Sequence, residues 1–431
     1  MRIPHVREAI CVTLPRSLSR EARIARPRLF ALALALAGAA ADPASAQTID
    51  PIFRSWRWTE EVTTARTLGL GGAITGLADD GAAAAFNPAG LATIPRAGEL
   101  QLGLRTVSQA TLASGDGIRH LTKGTSPATL ALRLGSRVGL SYHFIELRSA
   151  SRIDFDDGRE KGTLKTSVNG PGVGQGVRVS PFVNIGLSVT AYRFYVNEGD
   201  YTRVTDGHPD AVVRFNSNGD TRVAGTLGAL VKARELSYGL AFRLGRRWRG
   251  RRTAIDPSTS RVIDEGTTFG VRSPSVLSSG IAWQPELRRA QSFLLTAQVD
   301  RLFLGAIEPS QASGVPFPAS DYRLKSALEW RAGGEVTIPV LGRWASHGAG
   351  RPNRLQFRAG FHRQPAGSIV YEGPDPVQQG LFPAGAARNL VSLGTSIGGV
   401  TMWRLSGAYR FGGDDRQAVV GIAIRYPGLF P

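Results

Sequence analysis

The chain has little of what most soluble chemistry is built on. Its single cysteine, Cys11, falls within the first 46 positions, so the remainder has no thiol at all. A body without cysteine suits an oxidising compartment, where stray thiols are a hazard. The six histidines are scattered without metal-ligand spacing, and no metal or cofactor is implied. Long hydrophobic runs are missing too. The best, residues 29–41, is about 13 residues against the ~20 a spanning helix needs, which excludes a helical membrane protein. A transmembrane β-barrel stays open, because its strands are only half apolar.

What is present begins with a leader. Arg16, Arg20, Arg23, Arg26 and Arg28 precede the apolar run, and Ala44-Ser45-Ala46 offers an A-x-A cleavage site before Gln47. These features predict a cleaved export signal over 1–46 rather than an anchor. The leader holds seven Arg against Glu8, Glu21 and Asp42, so removing it takes the formal net charge from +18 to about +14. The remaining ~385 residues suffice for two or three soluble domains or one large barrel.

The body alternates. Leu130, Leu132 and Leu134 are set against Thr129, Ala131 and Arg133; Leu355, Phe357, Ala359 and Phe361 against Gln356, Arg358, Gly360 and His362. Period two puts each set on its own face of a sheet. A soluble sandwich would also alternate. Here, however, the polar face mixes Arg, Glu, His and Gln with many Gly and Ser, as a wet lumen would. Fourteen strands are expected, near 99–107, 127–135, 137–148, 174–181, 185–197, 221–233, 235–245, 275–284, 291–303, 322–338, 354–364, 389–399, 402–412 and 417–427. Long gaps alternate with short ones, the rhythm of outer loops and inner turns in an even-stranded barrel. Two gaps break it: 339–353 is too long and 413–416 too short.

Before the first strand lies ARTLGLGGAITGLADDGAAAAFNPAGLATIP (66–96), dense in Gly and Ala. Gly69, Gly71, Gly72 and Gly76 permit close backbone approach and positive φ. The run 82–85 favours a short helix, with Asp79 or Asp80 near its start as cap or dipole partner. Pro88 ends it and Asn87 turns the chain. Ile74 stands where G-x-G-x-x-G needs its last glycine, so a dinucleotide site is rejected.

Arg66, Gly69, Gly71-Gly72, Ala78-Asp79-Asp80 and Asn87-Pro88-Ala89-Gly90-Leu91 together resemble the N-terminal signature of the FadL/TodX family of outer-membrane transporters for hydrophobic compounds, and of related PorV-type barrels. Residues 273–285, 296–300, 331–339 and 355–365 are similar to that family's later strands in order. The resemblance implies a barrel of about fourteen strands (98–431) plugged by a small N-terminal hatch (47–97), acting as a passive channel for hydrophobic or amphipathic molecules such as long-chain fatty acids. Expected partners are membrane lipids, lipopolysaccharide and the barrel assembly machinery, since Gly421-x-x-Ile424-x-Tyr426 resembles its C-terminal signal although five residues follow. A PorV-like docking barrel of a secretion or surface-attachment system is the alternative.

Three smaller signals complete the reading. In the third strand the apolar residues are even-numbered through Phe144, then switch to Ile145 and Leu147. A bulge there would restore facing. The family resemblance makes Phe144, Ile145 and Glu146 candidates for a strand kink that opens the wall sideways. Arg246, Arg247, Arg249, Arg251 and Arg252 form a basic cluster in the expected loop 246–274 and are candidates for anionic lipid headgroups. Export and a barrel argue against nucleic acid. Gly394-Thr395-Ser396-Ile397-Gly398 fits G-x-S-x-G but sits in an alternating strand, not the strand-to-helix elbow that motif requires. Ser396 with His362 as an outer-membrane phospholipase-like dyad is set aside, and no enzyme activity is expected.

Overall fold

A computed structural model describes residues 64–426 apart from 95–97, 111–118, 126, 157–159, 206–207, 217–219, 286–291, 305–320, 341–352, 368, 377–378, 380–381, 383, 399–402 and 413–414. The expected leader and the residues after Tyr426 lie outside the described residues, as does most of the over-long gap at 339–353.

Fourteen antiparallel strands close into a transmembrane barrel. They are β1 (Gly98–Ala110), β2 (Arg119–Thr125 and Ala128–Leu134), β3 (Val138–Asp156), β4 (Glu160–Arg178), β5 (Val183–Thr205), β6 (His208–Asn216 and Thr221–Ala233) and β7 (Leu236–Arg243 and Arg246–Ile255). There follow β8 (Val262–Ser273 and Ser275–Trp283), β9 (Ser292–Phe303), β10 (Ala327–Pro339), β11 (Arg354–Gln364), β12 (Arg388–Gly398), β13 (Trp403–Gly412) and β14 (Asp415–Tyr426). The cylinder closes where β14 pairs with β1, from Gly98↔Tyr426 to Ser108↔Arg416. Period two decides the facing. On β12, Val391, Leu393 and Ile397 are exposed on the outside while Ser392 and Ser396 are buried. The same outward apolar belt runs through Leu240, Leu295, Trp330, Phe357 and Leu405. Hydrocarbon accepts such a face at no cost, where water would not. No helix among the described residues is long and apolar enough to cross a membrane; the strands cross.

The expected strand order holds, but several expected loops are strand. β3, β4 and β5 reach Asp156, Glu160 and Thr205, and the outer segments of β6, β7 and β8 fill 208–216, 246–255 and 262–273. β5 has 23 residues, about twice the 9–11 that cross a bilayer, so its far half stands clear of the hydrocarbon. Strands out there need no apolar face, and the hydropathy alternation that marks the others disappears. The tenth strand starts at Ala327 rather than 322. Tyr322–Arg323 instead pairs with Val370–Tyr371, and the Tyr322 ring packs tilted against Tyr371 and edge-to-face against Phe382 at centroid distances of 4.9 and 5.2 Å. This ribbon ties two loops together at the outer end.

One seam in the wall is irregular. β2 is interrupted at Pro127, which has no N–H to give a ladder. Its register on β1 slips across the break, from Gln101↔Thr129 to Leu104↔Thr125. β3 pairs with the inner half of β2 as far as Ala128↔Phe144, and among the described residues no ladder joins the Arg119–Thr125 half to β3. On its other side β3 bulges against β4 between Glu146 and Arg148, and again before Ser151. The sequence places the irregularity at 144–146, but the register with β4 runs on regularly through Glu146↔Asn169 and the bulge follows it.

Candidate functional site

The lumen is filled by residues 64–94, which fold as α1 (Ala65–Gly69), α2 (Ala83–Phe86) and a 3-10 helix (Pro88–Thr93). Thr64 opens α1 with a capping box: its hydroxyl accepts from Thr67 N–H at 3.1 Å, and the Thr67 hydroxyl accepts from Thr64 N–H at 2.8 Å. Gly71 and Gly72, at φ of 64° and 82°, reverse the chain after α1. Asp80 Oδ1 accepts from Ala82 N–H at 3.1 Å in a turn ahead of α2, but the N-cap position of α2 is Ala82, with no side-chain cap, so the cap expected of Asp79 or Asp80 is not made. Asn87 then does three jobs. Its amide donates to Thr75 O and Ala229 O, both at 2.9 Å, and its carbonyl accepts from Ala89 N–H. One side chain thus closes the plug on itself and pins it to β6.

The wall meets the plug backbone directly. A Cβ added at Gly139, Gly186, Gly228, Gly239 or Gly360 would collide with Leu91, Pro88, Asn87, Thr75 or Gly71, respectively. Gly176, Gly280, Gly333 and Gly394 touch the plug in the same way. Inward glycines of β3, β4, β5, β6, β7, β8, β10, β11 and β12 therefore form a girdle. The Gly-rich polar face, read from sequence as a wet lumen, is at this level a dry seat for a second backbone. Polar wall residues complete the fit. Gln298 Oε1 accepts from Ile74 and Thr75 N–H at 2.9 Å each, Thr296 donates to Ala73 O at 2.7 Å, and Ser237 donates to Gly76 O at 2.6 Å. Buried backbone groups that no helix satisfies are thereby paired.

Charge locks the arrangement. Arg66 of α1 reaches Asp79 at 2.5 Å and Asp80 at 3.3 Å within the plug, and Glu335 of β10 at 3.3 Å. Glu335 is also held by Arg358 of β11 at 2.6 Å, whose other nitrogens donate to Ser396 and Gln356. Gly81 N–H donates to Glu99 of β1, which pairs with Arg425 of β14 at 2.8 Å. Beside the plug, a cavity of about 60 Å³ is lined by Leu68, Phe86 and Leu302 together with Asp300, Glu329 and Arg331. Arg331 bonds both carboxylates, and His362 lies 3.3 Å from Glu329.

The two plug aspartates respond oppositely to this field. Burial pushes the Asp79 carboxyl up, but Arg66 overrides it and holds the group at about 2. Asp80 is pushed up by burial and by Glu99 and Asp79, against the pull of Arg66. The stability Asp79 supplies is present above the ordinary carboxylate range near ~4 and is lost as pH falls through about 2. Asp80 favours the folded plug in its neutral form, an effect lost as pH rises through its raised value. Asp79→Asn is therefore expected to weaken the seal at neutral pH by about 1–2 kcal/mol, whereas Asp80→Asn, which keeps the acceptor for Ala82, leaves it intact. Ion leak through planar bilayers from pH 7 to pH 2 checks both, with the unsubstituted seal giving way only near pH 2.

No family model and no curated protein sequence matches the chain. Among solved structures, a FadL homologue of Pseudomonas aeruginosa aligns with a TM-score of 0.56 at 13% identity, over 86% of this chain and 99% of that one. The chain has the FadL-type fold. The Ralstonia pickettii toluene transporter TbuX aligns at 0.55 and 12%, over 85% and 98%, and the CymD monoaromatic hydrocarbon channel at 0.51 and 13%, over 84% and 96%.

Within this FadL-type barrel the sequence candidates separate. Gly71, Gly72, Asp79, Asp80, Asn87, Pro88, Ala89 and Gly90 all lie in the plug and are buried or nearly so. Ile145 and Glu146 are buried and Phe144 half-buried beside the irregular seam. The basic cluster is corrected in placement: it runs along β7, not a loop. Arg249 and Arg251 are exposed, Arg247 is half-buried, and Arg246 is buried with its guanidinium 4.9 Å from the Tyr192 ring centre. The Arg252 side chain lies outside the described residues. Ser396 bonds Ser406 and Arg358, while His362 pairs with Glu329; Ser396 faces Gln356 on β11, six positions from His362, so the two form no dyad. Glu335, Arg358, Gln298 and the wall glycines were not singled out in the sequence, where only their inward parity marks them.

Proposed function

We propose that the protein is an outer-membrane channel for passive uptake of hydrophobic or amphipathic small molecules. The observation that carries this reading is a contrast. The axial path is filled at the glycine girdle, while among the described residues no ladder joins the outer half of β2 to β3. A cargo that enters from the loop end then has its easiest way out sideways, into hydrocarbon, past Phe144, Ile145 and Glu146. Apolar molecules gain by that transfer, ~0.8 kcal/mol per CH₂ buried, so no energy source is required. The toluene and monoaromatic-hydrocarbon channels of the same fold support an apolar cargo, and long-chain fatty acids are the amphipathic candidates. Arg249 and Arg251, exposed on the outer part of β7, would meet lipopolysaccharide phosphates. The last strand, with Gly421, Ile424 and Tyr426, would be read by the assembly machinery.

Native mass spectrometry of the detergent-purified protein is expected to show bound apolar compound. Cells displaying the protein should take up radiolabelled toluene or oleate severalfold faster than cells without it. An empty barrel that copurifies with a secretion component, and no gain in uptake, would replace this reading with the docking-barrel alternative.

A further inference from the structure

Resting on the sideways-exit reading, we infer that Glu146 is the bolt that holds the seam between the outer half of β2 and β3 shut. Where the ladder lapses, the Glu146 carboxylate takes over its role: Oε2 accepts from the Thr125 backbone N–H at 2.8 Å and from the Thr125 hydroxyl at 3.4 Å. Arg105, reaching across from β1, sets Nη2 3.2 Å from the same oxygen. Glu146 is 6% exposed and Arg105 1%, so the pair is shielded from water. The wall is shaped for this side chain. Gly124, beside Thr125, carries no Cβ, and one placed there would stand 2.7 Å from Glu146 Oε2. Glu146 also occupies the residue before the β3 bulge.

A backbone ladder would fasten these strands permanently, with several bonds that open only together. One carboxylate fastens them with a single charge-assisted contact that a side-chain rotation releases. The seam can then part without unzipping β3 from β4 or β2 from β1. Glu146 is accordingly a gating residue, and Arg105 its anchor on the neighbouring strand. Arriving apolar cargo would displace the carboxylate toward Arg105 as it passes.

The test uses full-length protein, Cys11→Ser, in bilayers whose outer leaflet is lipopolysaccharide, with N-phenyl-1-naphthylamine as the apolar fluorescent probe. Glu146→Gln keeps an acceptor for Thr125 but loses the charge facing Arg105, and probe entry should rise roughly threefold; Glu146→Ala loses both, for roughly tenfold. If the Ala variant fails to insert, the Gln variant decides. Separately, Thr125→Cys with Glu146→Cys is joined by a short bis-maleimide, which should stop entry. Stopped entry with Gln and Ala rates equal to the unsubstituted protein overturns the bolt and leaves the exit standing. A cross-linked barrel that passes the probe as fast as its unlinked form overturns the sideways exit, and the bolt with it.

Discussion

Arg66→Met is expected to release the plug. Arg66 is the one cation within 3.3 Å of Asp79, Asp80 and Glu335 at once among the described contacts, and it is 7% exposed. Methionine keeps an unbranched stem that suits α1 but takes the cation from Asp79, leaving Glu335 to Arg358 and Asp80 3.8 Å from Arg404. Removing one partner of a buried ion network costs about 3–5 kcal/mol, because a buried charge, here chiefly that of Asp79, loses its compensation. If that cost falls on docking rather than on the barrel wall, the fraction of molecules with the plug displaced rises by roughly a hundred- to several-thousand-fold. Single-channel recordings should show ion conductance in Arg66→Met that the unsubstituted protein lacks. Arg66→Lys should restore part of the seal, since it keeps the charge but loses the fork that grips Asp79 and Glu335 together. A silent, non-conducting Arg66→Met barrel would mean that the glycine seat alone holds the plug.

Gly360→Val is expected to be the more damaging change to assembly. Gly360 faces the Gly71 nitrogen so closely that even a methyl group has no room, and the obstacle is backbone, which cannot swing aside. Overpacking at a site that cannot relax costs about 3 kcal/mol or more. Gly407 on β13 provides the control, because nothing lies within 4 Å of its would-be Cβ. Gly407→Val should fold like the unsubstituted protein. The heat-modifiable shift of barrels on gels reports the folded fraction for both, and Gly360→Val should lose most of it while Gly407→Val keeps it. Equal yields would show that the girdle is incidental.

The barrel was legible because lipid imposes one requirement on every crossing strand, and Leu355, Phe357 and Phe361 against Gln356, Arg358 and His362 state it plainly. The turns of the plug were legible for a different reason: Gly71-Gly72 and Asn87-Pro88 are local chain chemistry, complete within a few residues, whereas their place inside a barrel came only from the family resemblance. Beyond the bilayer the requirement lapses, and the segments at 208–216 and 262–273 read as loop although they are strand. The latch was legible only in half. Asp79 and Asp80 stood out as candidates for capping α2, but their true counter-charge, Arg66, also grips Glu335, 269 positions away, and no local pattern reports such a partner. The wall glycines misled most. Each is ordinary in a strand, and only their common inward facing, strand after strand, shows that they answer to the plug. The switch of parity after Phe144 pointed to an irregular stretch of β3, although the register holds through Glu146 and the bulge lies between Glu146 and Arg148.

The girdle also constrains how the molecule can be made. The contacts at nine strands exist only once those strands have gathered around the plug, which precedes β1 in the chain. The segment ahead of β1 serves the finished sheet as a mandrel. The sheet is wound around it, and the pairing of Gly98 with Tyr426 is the stitch that comes last.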